Sequence, residues 1–157
     1  MLLPTGGMYS HLEVLIDDED WERCKPYSWN IAWDKEADYF YVKTYDWKTQ
    51  KTLYLARFLC CCFDSNQVDH KDLNPLNNQK TNLRICSRLQ NSQNKQKQKN
   101  NSSGYRGVYW CKSSKCWKAS IRVNKQRIYL GGYSTPEQAA EAYKQASLKY
   151  HGKFGRI

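Results

Sequence analysis

Four polar side chains in the middle of the chain have the types that phosphodiester hydrolysis requires: Asp69, His70, Asn82 and Asn91. A neutral imidazole can take a proton from water, and carboxylate and amide oxygens can share a hard divalent cation. A phosphodiester needs both an attacking hydroxide and relief of the charge on its leaving oxygen. His70 is the single histidine between residues 12 and 150, so any histidine chemistry in this region depends on it.

The sequence around these residues predicts a strand, a loop, a second strand and a helix. The first strand ends at Asp69-His70, and Asn74-Pro75 is typical of a turn-rich loop. The second strand is predicted over residues 82–86. Ser87 with Gln90 three residues later forms a capping-box pattern, which indicates where the helix begins. Taken alone, an Asn-rich loop with one Asp-His pair would also fit a plain polar turn.

The segments Asp69-His70, Asn82-Leu83-Arg84 and Asn91 together resemble the HNH nuclease motif of phage and intron-encoded homing endonucleases, over about residues 53–95. The resemblance implies a ββα-metal finger with His70 as general base and Asn82 as its orienter. It also implies that Asp69 and Asn91 hold one divalent cation, and Asn94, about one helical turn further on, is an alternative ligand. Oxygen ligands suit Mg²⁺ or Mn²⁺, whereas zinc would require more His or Cys.

The charge of the chain is concentrated towards its C-terminus. The 157 residues carry a formal net charge of +10, but residues 1–50 hold five basic and ten acidic side chains, and residues 101–157 hold eleven basic and two acidic ones. This balance favours nucleic acid as a partner, with a membrane surface as the weaker alternative. Seven cysteines, three of them consecutive, do not make a framework of paired bridges and favour a reducing cytoplasm, that of a bacterial host if the chain is phage-encoded.

The last third of the chain predicts a small sheet followed by a helix. Strand-like segments cover residues 105–110, 116–123 and 127–133. Thr135, Pro136 and Gln138 together predict a helix start. One face of this helix should pack on the sheet, and its members are Ala139, Ala142, Tyr143, Ala146 and Tyr150.

The same region resembles the Apetala-type domain of plant ethylene-response factors over about 55 residues. The segments that carry the resemblance are Ser103-Gly-Tyr-Arg-Gly-Val-Tyr, Trp117-Lys-Ala-Ser-Ile-Arg, Ile128-Tyr-Leu-Gly-Gly-Tyr and Ala139-Ala-Glu-Ala-Tyr. It implies a three-stranded antiparallel sheet that lies in the DNA major groove. The implied DNA-binding residues are Arg106, Lys118, Arg122, Arg127 and Tyr129. Trp117 fits core packing and base contact equally well, and a solvated basic surface is the alternative for the whole face.

The predicted fold class is α+β, with a β-rich N-terminal scaffold, the ββα unit and the C-terminal sheet on one helix. The predicted divisions are a scaffold over 1–52, a nuclease module over 53–95, a basic linker over 96–103 and a DNA-binding domain over 104–157. Within the first two, we expect a helix over 17–24, an aromatic hairpin over 27–45 with its rings on the covered face, a third strand over 51–54 and a buried helix over 53–63.

These expectations combine into a site-specific, homing-type DNA endonuclease that uses a single divalent metal and a histidine base. Its partner would be double-stranded DNA and not a membrane, and it would act as a monomer or as a dimer assembled on DNA. A DNA-binding transcriptional regulator with an inactive nuclease finger is the alternative from another class. RNA binding is a third possibility.

Overall fold

The structure is a computed structural model that describes residues 1–36, 38–94 and 101–155. It divides into two compact units, Met1–Asn91 and Ser92–Ile157, and buried apolar side chains form a core within each. Several small antiparallel sheets combine with helices, which confirms the mixed class that the sequence predicts. The predicted linker over 96–103 lies for the most part outside the described residues.

The first unit begins with a short strand pair and a helical turn. β1 (Leu2–Leu3) pairs with β2 (Val14–Leu15), and a 3₁₀ turn (Asp18–Asp20) leads into α1 (Trp21–Cys24). The helical segment predicted over 17–24 is therefore present, although its first half is 3₁₀. Acidic side chains favour the N-terminal end of a helix, where backbone N–H groups point outward.

Three strands form the largest sheet of this unit. β3 (Asn30–Asp34), β4 (Tyr39–Asp46) and β5 (Lys51–Tyr54) pair antiparallel in that order, so the predicted hairpin and third strand are confirmed. In β4, the prediction that the aromatic rings lie on the covered face is confirmed for Phe40, which packs against the core, and is wrong for the tyrosines. Val42 is buried there, and because strand side chains alternate, Tyr41 and Lys43 point to the outer face.

The helix predicted over residues 53–63 is shorter in the structure, where α2 covers Leu55–Leu59. Leu53 belongs to β5, paired with Thr44. Beyond the helix, Cys61 has a left-handed backbone with φ of 49°, which ends the helical path. The apolar residues that predicted a longer helix belong to two elements, the end of β5 and the helix α2. Both elements pack against the same core, so their apolar residues together resemble one helical pattern.

The predicted strand, loop, strand and helix order is present in the second half of this unit. β6 (Gln67–His70) pairs antiparallel with β7 (Leu83–Cys86), and α3 (Arg88–Asn94) follows. The capping box at the helix start is confirmed: Ser87 N donates to Gln90 Oε1 at 2.9 Å, and Gln90 N donates to Ser87 Oγ at 3.2 Å.

The second unit is a three-stranded antiparallel sheet covered on one face by a helix, as predicted. β8 (Val108–Cys111), β9 (Cys116–Val123) and β10 (Gln126–Tyr133) are ordered β10-β9-β8, and α4 (Pro136–His151) packs on them. β8 begins three residues later than predicted, because Gly107, with φ of 70°, turns the chain there. A Cβ at that glycine would lie 2.2 Å from the ring of Tyr143, so the helix can approach only a glycine.

The buried face of α4 agrees with the prediction at Ala139, Tyr143 and Ala146. Tyr150 is exposed, so its predicted place on that face is wrong, and Ser147 is buried instead. Thr135 caps the helix as predicted, since its Oγ1 accepts a hydrogen bond from Gln138 N at 3.3 Å. Within the described ranges, no helix has the length and apolar content needed to cross a membrane.

Candidate functional site

The imidazole of His70 lies at the end of β6, where an asparagine of the following loop holds it. His70 Nε2 is 3.2 Å from Asn78 Oδ1. Asn78 Nδ2 donates to the carbonyl of Pro75 at 3.1 Å, and a carbonyl can only accept, so the amide oxygen of Asn78 must face the imidazole. Nε2 is therefore the protonated nitrogen of His70, and Nδ1 carries the lone pair.

The surroundings of His70 favour its neutral form. Burial lowers the pKa of His70 below its usual value of 6.5, although the Asn78 hydrogen bond and the carboxylates of Asp72 and Asp69 oppose this shift. At neutral pH the imidazole is thus uncharged. A neutral imidazole with a defined lone pair is the state in which a histidine can accept a proton from water.

Asn78 itself is anchored by the N-terminal segment of the chain. Its side chain is 1% exposed. Its backbone N donates to the carbonyl of Leu15 at 2.8 Å, and Leu15 N donates to the carbonyl of Leu76 at 2.8 Å, so β2 lies along the loop. Sequence reasoning missed Asn78, because it stands in a run of loop asparagines whose other members serve turns.

An acidic turn holds the far end of the same loop. Asp17 Oδ2 accepts a hydrogen bond from Lys80 N at 2.7 Å, and the ammonium group of Lys80 pairs with Glu19 and, at 3.6 Å, with Asp20. Among the described residues these three acidic side chains form the one His, Cys, Asp or Glu cluster compact enough for a metal ion. Through their contacts with Lys80, these acidic side chains fix the position of the loop.

Asn82 lies immediately before β7 and braces the loop from inside. Its Oδ1 accepts a hydrogen bond from Asp72 N at 3.0 Å, and its Nδ2 donates to the carbonyl of Asn77 at 2.7 Å. The structure therefore brings Asn82 to the backbone next to Asn78, and it is Asn78 whose Oδ1 accepts a hydrogen bond from His70 Nε2.

Asp69 and Arg84 form a buried ion pair across the two strands. The two residues are direct partners in the β6–β7 register, and Asp69 is 5% exposed. Two nitrogens of the Arg84 guanidinium group lie close to the same oxygen, Asp69 Oδ2. Nε is 2.8 Å from it, and Nη2 is 2.6 Å from it. This pairing fixes the position of the Asp69 carboxylate in β6, one residue before His70.

Asn91 is brought to β6 by the first turns of α3. Its Nδ2 donates to Gln67 Oε1 at 2.8 Å. Gln67 and Asp69 are two residues apart in β6 and so point to the same face. Asn91 and Asp69 therefore share a face of the strand pair, and both offer oxygen donors of the kind that Mg²⁺ or Mn²⁺ accepts.

The second unit presents a basic and aromatic sheet face opposite α4. Ala119 and Ile121 point to the helix and are buried, so the intervening Lys118, Ser120 and Arg122 point away from it. Four of the five predicted DNA-binding side chains lie on this outer face, namely Lys118, Arg122, Arg127 and Tyr129, with Tyr109 beside them.

Two tyrosines on the outer face of this sheet are exposed. Tyr109 and Tyr129 are 40% and 56% exposed, and Lys118 Nζ lies 5.8 Å from the centre of the Tyr129 ring.

Arg106 lies outside the strands, and its guanidinium donates to the carbonyl of Ser92 at 3.4 Å. Trp117 points to the helix side, where it packs against the core formed by Val108, Ala119 and Ala139, so the structure decides for core packing.

Comparison with known proteins agrees with this architecture. The model of the AP2 domain family matches residues 103–153, which are therefore an AP2 domain. The chain is 39% identical over 51 residues to APETALA2-like protein 2 of Oryza sativa subsp. indica, over 32% of this chain and 12% of that protein. It is 37% identical over 87 residues to an uncharacterized HNH endonuclease of Acanthamoeba polyphaga mimivirus, over 55% of this chain and 44% of that protein.

A phage protein matches over a larger share of its own length. Protein 3.8 of Escherichia phage T7 is 32% identical over 90 residues, which cover 57% of this chain and 74% of the phage protein. The chain belongs to the same family as Protein 3.8. No solved structure gives a significant match to this chain.

Proposed function

We propose that this chain is a DNA endonuclease of the homing type, in which His70 is the general base and the C-terminal AP2 domain binds the DNA. The observation that carries the proposal is the hydrogen-bonded pair formed by His70 and Asn78, with the buried Asp69 one residue before His70 in β6. The strand, loop, strand and helix order around them and the mimivirus relative named as an HNH endonuclease support the same reading.

In this proposal Nδ1 of His70 accepts a proton from the attacking water, while Asn78 holds Nε2–H and so fixes the ring. Asn82 positions the imidazole indirectly, because it braces the backbone next to Asn78. The hydroxide attacks phosphorus, and the products carry a 5′ phosphate and a 3′ hydroxyl.

Asp69 and Asn91 would hold the cofactor, Mg²⁺ or Mn²⁺. When bound, the cation supplies charge stabilisation for the leaving 3′ oxygen. Asn91 is favoured over Asn94 as the second ligand because the Asn91 side chain contacts β6, the strand that carries Asp69. Arg84 orients the Asp69 carboxylate through their ion pair.

The outer face of the second sheet would bind double-stranded DNA. Lys118, Arg122 and Arg127 carry the positive charge that phosphates attract, and Tyr129 is exposed among them. The AP2 match supports DNA as the partner. One chain offers one candidate active site, so a monomer would nick one strand and two chains on DNA would cut both.

A plasmid-nicking assay tests the proposal. We expect wild-type protein to nick supercoiled DNA with millimolar Mg²⁺ and not with a chelator. His70→Ala should lose at least about a hundredfold in rate, the scale of general-base catalysis, with DNA affinity changed no more than a few fold. His11→Ala is the matched control, since His11 is exposed in the same unit.

The alternative is a DNA-binding regulator without cleavage activity, which the name of an Arabidopsis thaliana relative, an AP2-like ethylene-responsive transcription factor, favours. Specific duplex binding without metal-dependent nicking would establish that alternative. Tighter binding to structured RNA than to duplex DNA would instead favour RNA as the partner.

A further inference from the structure

Two cysteines face each other on the outer surface of the AP2 sheet. Cys111 and Cys116 are direct partners in the β8–β9 register and close the hairpin around Lys112–Lys115. Directly opposed residues of an antiparallel pair have Cα atoms about 4.5–5.5 Å apart, which lies within the range of about 4.4–6.8 Å that disulfides span. Both thiols are free and half-buried, so small oxidants can reach them.

We propose that Cys111 and Cys116 form a reversible disulfide when a hydroperoxide oxidises them, and that this bond raises the affinity of the sheet face for DNA. The bond itself does not depend on the nuclease activity proposed above. Its effect on affinity rests on the proposal that the sheet face binds DNA.

The surroundings of Cys111 make it the reactive partner. Its Sγ lies 3.3 Å from Ser113 Oγ and 3.5 Å from Ser114 Oγ. Hydrogen bonding by these two side chains, with a contribution from Lys118, lowers the pKa of Cys111 from 9.0 to about 6, so the thiolate dominates at neutral pH. An accessible thiolate beside a second thiol is the arrangement found at redox-sensing cysteines.

Four other cysteines of the chain have raised thiol pKa values. Burial raises the pKa of Cys24 to about 11, and it also raises the pKa values of Cys60, Cys62 and Cys86 above 9.0. Their thiols therefore stay protonated at neutral pH. This contrast predicts that oxidation begins at Cys111.

The reaction balances in two steps. The Cys111 thiolate attacks one oxygen of the hydroperoxide, the O–O bond breaks, and the alcohol or water leaves with a proton, which gives a sulfenic acid at Cys111. The sulfur of Cys116 then attacks Cys111 Sγ, the S–O bond breaks, and water leaves. Two electrons pass from the two sulfurs to the peroxide, and a thiol reductant reverses the bond.

The disulfide changes the charge on the outer face. In the reduced protein the Cys111 thiolate lies beside Lys118 and raises the pKa of that ammonium group. Oxidation removes the negative charge, and Lys118 becomes available to a phosphate. One further phosphate contact should steepen the slope of log affinity against log salt by about 0.9.

To test the bond, the full chain is treated with hydrogen peroxide and digested with trypsin without reduction. Mass spectrometry then shows whether the peptides that contain Cys111 and Cys116 are linked. Cleavage after Lys112 and Lys115 separates the two cysteines, so only a disulfide joins their peptides. We expect this linked pair in oxidised protein and its loss with dithiothreitol. Absence of the linked pair would overturn the proposed bond, whether or not the protein binds or cleaves DNA.

Binding to a duplex over a range of NaCl concentrations tests the effect on affinity. Reduced Cys111→Ser should bind as oxidised wild type does, because both lack the thiolate, whereas reduced Cys116→Ser should bind as reduced wild type does. Cys61→Ser, at an exposed cysteine of the first unit, is the control for oxidation elsewhere. If oxidised and reduced wild type showed the same salt slope, the assigned effect on DNA binding would be wrong.

Discussion

Asn78 decides which nitrogen of His70 can act as a base. Its amide can present its oxygen to the imidazole because its nitrogen is already bonded to the carbonyl of Pro75. In the family resemblance this orienting role falls to Asn82, whose side chain here bonds to the loop backbone. The two asparagines therefore have separable roles that single substitutions can distinguish.

We expect Asn78→Ala to lower the cleavage rate by roughly tenfold to a hundredfold, because the imidazole ring loses the bond that orients it. The free energy of unfolding should also fall, by about 1–3 kcal/mol, since buried polar groups lose their partner. Single-turnover cleavage and urea unfolding measure the two effects. Asn77→Ala is the control, since its amide bonds to Asp72. Equal losses in both variants would show that Asn78 acts only through loop stability.

The lowered pKa of His70 has a consequence for pH dependence. The neutral imidazole is the base, so the cleavage rate should rise with pH and reach its plateau below the pH expected for an ordinary histidine with a pKa of 6.5. Rates measured from pH 5 to 8 under single-turnover conditions test this. A rate that rises with a midpoint at or above pH 6.5 would contradict the lowered pKa of His70.

The same shift links His70 to stability. Between its lowered pKa in the folded state and about 6.5, the unfolded chain binds more protons at this residue, so the free energy of unfolding falls as pH drops through that window. Urea unfolding of wild type and His70→Asn across this range isolates the contribution. The variant should lose that part of the pH dependence.

The residue types of the candidate site could be predicted from the sequence, whereas their partners could not. Asp69, His70 and Asn91 carry chemistry that is visible in a one-dimensional pattern. The bond from Leu15 to Asn78 joins residues more than sixty positions apart, and it depends on how β2 lies along the loop. Such long-range hydrogen bonds leave no local signal in the sequence.

At the scale of the elements, simple alternation along β9 separates the side chains that pack on α4 from those that point outward, to which we assign DNA recognition. Arg122 lies on its outer face and faces Arg127 across the β9–β10 pair. Arg122→Ala should weaken binding by about 1–3 kcal/mol at particular sites if the side chain reads a base, or weaken all sites alike if it contacts phosphate. Binding to a random duplex library distinguishes these results, and Lys149→Ala, a change of an exposed cation on α4, is the comparison.

Local chemistry made some elements predictable and others not. The capping box at Ser87 and the N-cap at Thr135 are confirmed because each depends on bonds between residues three positions apart. The start of α2 was not predictable, since Leu53 pairs with Thr44 in a sheet that forms only in the folded chain. Periodicity alone cannot separate a strand and a short helix that cover the same core.

At the scale of the whole molecule, the two compact units predict that recognition and chemistry can be separated. A chain without residues 102–157 loses eleven basic and two acidic side chains but keeps Asp69, His70, Asn82 and Asn91. It should bind DNA far more weakly, with a shallower salt slope, and nick slowly with little selectivity in low salt and Mg²⁺. Fluorescence anisotropy and the nicking assay measure both properties.

The matched control for this truncation is the full chain with Lys118, Arg122 and Arg127 changed to Ala, which keeps the second unit but removes the charge of its outer face. Both proteins should lose affinity to a similar extent. If the truncated chain kept full affinity and site preference, recognition would belong elsewhere, and the outer tyrosines of β4 would be the surface to examine.

The bond between β2 and the loop that carries Asn78 also bears on the order in which the chain folds. The ribosome releases residues 14–20 long before residues 76–80, so the N-terminal segment must wait for its partner, and such non-local closure is slow. A fragment that starts at residue 53 lacks this support altogether. A genome that acquires the unit with Asp69, His70 and Asn91 would therefore also need the first fifty residues of the chain. The AP2 domain, in contrast, could be acquired alone.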